Sequence, residues 1–375
     1  MSEIRENRIT GESVIIAPER VKRGGNLVPI AERTQTAAFL ASCPFCPGNE
    51  GLTAEERFRL AGEREGWILR SVVNKFSVLS PQGEVGPPRR LERGESSVNG
   101  VGLHEVLIES PRHNGLMARF PASHLQRILE AYRQRFSEFY RDPRVRHAII
   151  FKNHGADAGA SQQHPHSQIV GLPVVPGQVV ERTERARRFF DETGHCLACM
   201  EISQERTHGR RVITESDDFV TFIPYAALSP YHLWIFPKAH VACFSAQPLE
   251  TLAELATTLR TILGKVDGML GNPAFNLVLR SLGPEEKEAG HFHWYISIVP
   301  RINKRAGFEL GTGMYVNPSL PESCADALRS LRAPIARSKR SRRTLRLLAS
   351  LTGWRAGRRQ WMSVFAVAAA SFIRF

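Results

Sequence analysis

Residues 153–168 of this chain, NHGADAGASQQHPHSQ, bring donors for an anion together with a nucleophile. Gly155, Gly159 and Ser161 let backbone N–H groups and a hydroxyl come close to phosphate oxygens. His164 and His166 follow, separated by Pro165, and Gln168 closes the run. An imidazole attacks phosphorus when its other nitrogen is held by a hydrogen bond. A glutamine donates an amide N–H without changing charge. This order of residue types describes a phosphate site with His166 as its nucleophile.

The neighbouring residues say what must hold that site. Residues 147–152 (HAIIFK) branch and alternate like a strand, and an apolar run resumes at 169–172. The motif therefore occupies a loop and the start of the returning strand. Residues i and i+2 of a strand share a face, so His164 and His166 point the same way while Pro165 stiffens the chain between them.

The same elements recur in the second half. The first half runs Cys43-Pro-Phe-Cys46, a strand at 104–110, Pro111-Arg-His113, a helix over about 123–140, a strand to 152, a loop, and His164-Pro-His166. The second runs Cys196-Leu-Ala-Cys199, a strand at 231–236, Pro237-Lys-Ala-His240, a helix over about 249–263, a strand at 275–281, a loop, and His291-Phe-His293. His113 to His164 and His240 to His291 span the same interval, 51 residues. The helices show apolar stripes: Leu125, Ile128, Leu129, Tyr132 and Phe136 in one, Leu252, Leu255, Leu259 and Leu263 in the other. Those stripes are read as core packing. Residues 173–177 turn the chain, and 181–192 form a charged linking helix.

Each half thus offers two thiolates and two imidazoles, the donor set of a tetrahedral zinc site. The expected ligands are Cys43, Cys46, His113 and His164 in the first site and Cys196, Cys199, His240 and His291 in the second. Four protein ligands leave no place for a water, so both sites are read as structural. Cys243 and Cys324 stand alone.

The fold expected from the duplication is α+β, two antiparallel sheets with helices packed on one face, able to join into one. Residues 1–180 form the domain with HPHSQ, 181–330 the repeat, and 331–375 a basic tail outside the fold. The formal net charge of +13 points at first to nucleic acid. Yet residues 327–375 hold twelve Arg/Lys and no Asp/Glu, which leaves the body nearly neutral. The longest apolar run, 361–373, is 13 residues long, too short for a bilayer. With no charged leader and apolar core at the start, the expectation is a cytoplasmic protein without nucleic-acid or membrane partners.

The pattern N-x-G-x-x-x-G-x-S-x-x-H-P-H-x-Q resembles the active-site signature of galactose-1-phosphate uridylyltransferases, a duplicated-domain branch of the histidine-triad superfamily. TGESVIIAPER (10–20), RSVVNKF (70–76), VNGVGLHEV (98–106), FNLVLRS (275–281), HFHWYISIVPR (291–301) and AGFELGTGMYVNP (306–318) are similar to further blocks of that family. The resemblance covers about residues 8–325. It implies a role in galactose metabolism by ping-pong transfer: His166 takes UMP from UDP-glucose, glucose 1-phosphate leaves, and galactose 1-phosphate accepts. It also implies phosphate contacts from Asn153, Gly159, Ser161 and Gln168, a nucleoside contact from Asn74, and a phosphate contact from Arg20 or Arg23. Glu309 and Asn317 fall in the block that approaches the hexose. A homodimer is implied, as is iron in place of zinc at the second site in part of the family.

Hydrolases of the superfamily carry a third histidine where Gln168 stands. A hexose 1-phosphate is already a good leaving group, so a general acid adds little, and glutamine favours transfer over hydrolysis. Ser167 replaces the usual glycine, as in relatives that act as nucleoside-diphosphate-sugar phosphorylases. An ADP-sugar phosphorylase passing AMP to inorganic phosphate is therefore the second reading. A zinc-ribbon nucleic-acid binder is the third, weakened by the lack of interleaved basic and aromatic residues at the knuckles.

Overall fold

Branched and aromatic residues in alternation build ten strands of one antiparallel sheet. They are β1 (Glu56–Ala61), β2 (Trp67–Val73), β3 (Leu103–Ile108), β4 (His147–His154), β5 (His166–Leu172), β6 (Val212–Glu215), β7 (Phe219–Phe222), β8 (Leu233–Pro237), β9 (Phe275–Arg280) and β10 (Tyr295–Pro300). The computed structural model describes residues 1–23, 36–62, 66–90 and 94–331. The expected basic tail, from residue 332 on, lies outside the described residues.

The spatial order is β6-β7-β8-β10-β9-β4-β5-β3-β2-β1, so the two halves join through β4 and β9. Period-2 patterning assigns the faces. In β9, Phe275, Leu277 and Leu279 are buried while Asn276, Val278 and Arg280 are less so. The first set faces α1 (Ala122–Phe139) and α4 (Leu252–Leu270), which pack against each other. The two expected stripes, Leu125 to Phe136 and Leu252 to Leu263, are the buried faces of these helices.

Helices also cover the opposite face in the second half. α2 (Gly177–Thr193) is the expected linking helix, and α3 (Leu197–His208) carries Cys199. Ala198 and Ile202 of α3 pack on Val220, Phe222, Trp234, Phe236 and Tyr295. Two short helices follow, α5 (Gly307–Thr312) and α6 (Pro321–Ser330). A small sheet pairs residues 3–6 with 13–16, and 13–16 in parallel with 315–317. No helix among the described residues is long and apolar enough to cross a membrane.

The ladder pairs locate the two-fold relation between the halves. Phe151 of β4 lies opposite Val278 of β9 at the junction. On one side Phe151 pairs with Gln168, and on the other Val278 pairs with Ser297. Gln168 and Ser297 are therefore counterparts. Counting two residues back along each strand makes Tyr295 the counterpart of His166, and two more makes His293 the counterpart of His164.

Phe136 is fully buried between α1 and the sheet. Phe136→Ala is expected to cost about 3–5 kcal/mol of stability, read as a fall in the urea unfolding midpoint.

Candidate active site and metal centres

β5 begins at His166, opposite Ile108 of β3, and alternation sends His166 and Ser167 to opposite faces. His166 Nδ1 donates to the His164 carbonyl at 2.8 Å. That bond places the ring proton on Nδ1 and leaves Nε2 as the lone-pair nitrogen. Burial lowers the His166 pKa, with Lys152 adding to the effect, so the ring is neutral at neutral pH.

Beneath it, on the helix face, lies a buried polar cluster. Lys152 Nζ donates to Glu109 Oε2 at 2.7 Å and to the His166 carbonyl at 2.9 Å. Ser167 donates to Glu109 Oε1, and the Tyr132 hydroxyl reaches both Ser167 and Glu109. Lys152 and Glu109 are 1% and 0% exposed, so each charge depends on the other for compensation. The ammonium grips the backbone at the nucleophile itself.

A cavity of about 920 Å³ opens above His166, lined by Asn153, Gly155, Ser161, Arg119 and Arg301 among others. Gly155 and Gly159 have φ of +79° and +85°, a backbone that L side chains resist. A Cβ on Gly155 would also meet the Ala274 Cβ at 2.8 Å. Asn276 of β9 donates from Nδ2 both to the Ala158 carbonyl and to Asn153 Oδ1, each at 2.9 Å. Since the carbonyl can only accept, the Asn276 amide is fixed, and Asn153 is left with Nδ2 free for the site.

Gln168 is oriented by a residue that the sequence reading passed over. Its Oε1 accepts from His104 Nε2 at 2.9 Å, a proton position set by the Val78 backbone N–H donating to His104 Nδ1 at 3.3 Å, and Asn74 packs its amide against the same ring. Asn74 Oδ1 in turn accepts from the Phe76 backbone N–H at 2.9 Å. One end of the Gln168 amide is thus taken by His104, and the other remains for a ligand. His104 is buried and its pKa is lowered by that burial. The contact follows from the strand pairing, which the sequence does not announce: Val106 lies opposite Gln168, which puts His104 one step away on the same face.

Cys43, Cys46, His113 and His164 converge as expected, and their ligand atoms lie within 4.8 Å of one another. Sulfur–nitrogen separations are 3.7 Å for three pairs, close to the roughly 3.6 Å that two ligands of one tetrahedral zinc would have. His164 Nε2 donates to the Ser110 carbonyl at 2.7 Å, which turns Nδ1 toward the cysteines. Phe45, between the two cysteines, sets its ring against His164 and His166 at 5.9 and 5.6 Å.

At the second cluster the structure corrects the sequence reading. Cys196, Cys199 and His240 come together with His293, not His291. Cys199 Sγ is 3.3 Å from His240 Nδ1 and 3.4 Å from His293 Nδ1. Aligning HPH with HFH shifts the register by two residues, whereas the two-fold relation makes His293 the counterpart of His164, and each meets the metal cluster of its own half. The place of the nucleophile in the second half falls to Tyr295, which is not a phosphorus nucleophile of the histidine kind. All six cysteines are free of disulfides. Both clusters can hold a metal ion.

Among known proteins, residues 1–176 match the family model described as galactose-1-phosphate uridyl transferase, N-terminal domain. ADP-glucose phosphorylase of Arabidopsis thaliana is 34% identical over 331 residues, 88% of this chain and 93% of that protein. The chain belongs to the galactose-1-phosphate uridylyltransferase family. Galactose-1-phosphate uridylyltransferase of Thermotoga maritima is 26% identical over 349 residues, 89% of this chain and all of that protein. The crystal structure of the Arabidopsis ADP-glucose phosphorylase with bound ADP-glucose superposes with a TM-score of 0.75 at 32% identity, over 88% of this chain and 99% of that one. Like its family, the protein is a nucleotidyltransferase-type enzyme.

The remaining residues implied by the family scatter. Glu309 accepts from the Ala306 backbone N–H at 2.9 Å and so caps α5, beside Arg305 and Tyr315. Asn317 is 1% exposed, with its amide spent on Ala227 and Ser319, and does not line the large cavity. Arg20 is exposed in the turn of helix at 18–23, and the side chain of Arg23 lies outside the described residues. The boundary expected near residue 180 falls inside α2, and β4 pairs with β9 across it.

Metal analysis of purified protein discriminates the two histidines. His293→Ala is expected to lose one metal equivalent per chain, and His291→Ala to keep the wild-type content.

Proposed function

We propose that this enzyme transfers the nucleoside monophosphate of a nucleotide sugar through a covalent intermediate on His166. The observation that carries the reading is the His166 Nδ1 bond to the His164 carbonyl, at the floor of a cavity large enough for a nucleotide sugar. Nε2 attacks the α-phosphorus, the bond from that phosphorus to the bridging oxygen breaks, and hexose 1-phosphate leaves with the electron pair. An acceptor phosphate oxygen then attacks the same phosphorus and frees His166.

The Asn153 and Gln168 amides, with the Ser161 hydroxyl and the backbone at Gly159, are assigned to the phosphate oxygens. Neutral donors suit both half-reactions, because they stabilise developing charge without exchanging protons. The metal held by each cysteine–histidine cluster is assigned as zinc. It fastens the knuckle to the strand end, and Phe45 carries that rigidity to the nucleophile.

For the donor we favour ADP-glucose with inorganic phosphate as acceptor, giving ADP and glucose 1-phosphate. The 34% identity to a named ADP-glucose phosphorylase and the Ser167 substitution support it. Transfer of UMP from UDP-glucose to galactose 1-phosphate is the second reading, favoured by the family model and the Thermotoga relative.

Intact-protein mass after incubation with each nucleotide sugar separates them. An AMP adduct, absent from His166→Ala, is the expected result, and a UMP adduct alone would select the second reading. His104→Ala is expected to lower kcat on the order of ten- to a hundredfold by releasing Gln168, with unchanged metal content. His104→Gln, which still reaches the amide, recovers part of that loss in steady-state assays.

A further inference from the structure

The two-fold relation that makes Tyr295 the counterpart of His166 also gives the active site a mate in the second half. Asn153 corresponds to Arg280, which pairs with Tyr295 across the ladder. A cavity of about 40 Å³ lies there, walled by Leu279, Ala186 and Leu197 and edged by Arg182, Arg280 and His291. At roughly 10–15 Å³ for one water-sized group, it has room for three or four such groups. That is the size of one phosphate and far below a nucleotide.

Its polar edge lacks partners. Arg280 Nε, Arg182 Nη1 and His291 Nε2 are buried, and none has a hydrogen-bond acceptor. Arg182 pairs through its other nitrogen with Glu12 at 3.0 Å. Among the described residues Arg280 has no ion-pair partner, and the ionisable groups acting on it are Tyr295, Arg182, Glu12 and Tyr315, one cation and one carboxylate beside two phenols. Two guanidinium groups therefore share one carboxylate. His147, buried beside them, has its pKa pushed down to about 4 by burial and by Arg280, and adds no charge at neutral pH. A desolvated cation left without a counter-charge is unfavourable, and one small anion between the guanidinium groups would remove the deficit.

We infer that this pocket binds a free tetrahedral oxyanion, inorganic phosphate, between Arg182 and Arg280 as a second and non-catalytic anion site. Tyr295 in the place of His166 means that the bound anion undergoes no transfer. The active site accommodates a phosphate within a nucleotide sugar, whereas its mate admits only the bare ion.

Equilibrium dialysis of the metal-loaded full chain with radiolabelled inorganic phosphate tests this. Arg280→Leu is expected to bind one phosphate equivalent fewer than wild type, while retaining binding of labelled glucose 1-phosphate and the nucleotidyl adduct on His166. In phosphate-free buffer its Tm should equal or exceed that of wild type, because an uncompensated charge has been replaced by an apolar group. Equal phosphate stoichiometry in the two proteins overturns the inference and assigns the unpaired groups to water. Loss of glucose 1-phosphate binding instead also overturns it, since the pocket would then take the sugar ester. Should Arg280→Leu fail to fold, Arg182→Gln is read by the same stoichiometry.

Discussion

The pairing of β4 with β9 is the constraint on which the rest depends. It converts two half-sheets into one and sets Phe151 against Val278. From that pair outward the register of β5 and β10 is determined, and with it which histidine meets a metal and which residue stands in the nucleophile's place. The junction also brings Asn276 across to Asn153, so a residue of the second half orients a donor of the first. Neither half holds the site alone.

Around His166 the chain uses each face of β5 differently. On the open face, neutral amides and a hydroxyl line the cavity. On the covered face, Lys152, Glu109, Ser167 and Tyr132 satisfy one another within the core and hold the backbone at His166. The charges of the covered face are thus paired with one another, while the cavity above combines neutral donors with Arg119 and Arg301. Burial, and after it the Lys152 ammonium, lowers the proton affinity of the imidazole without competing for its lone pair.

Much of this was legible in the sequence because its signals are local. The stripes of α1 and α4 repeat at helical spacing, and the first metal cluster follows from CxxC and two histidines at strand ends. The misreadings came where strand register, not residue spacing, decides. His291 and His293 lie two residues apart in the approach to β10, and only the three-dimensional cluster of cysteines and histidines distinguishes them. His104 and Gln168 are 64 residues apart in sequence and meet through the β3–β5 pairing. Nothing in their spacing announces the contact. Asn317 sits in a block that resembles the family's hexose contact, yet it is buried at the end of a strand and uses both ends of its amide.

The distances along the chain also bear on how the molecule assembles. Cys43 and His164 are 121 residues apart, and closing a loop of that length costs about 4 kcal/mol of chain entropy. As the chain leaves the ribosome, β4 is made long before β9, its partner across the junction. Until β9 arrives, the first half carries an open strand edge, the kind of surface that pairs with other chains. The second half is thus a cover for the first during synthesis, a duty that survives even though its own counterpart of the nucleophile is a tyrosine.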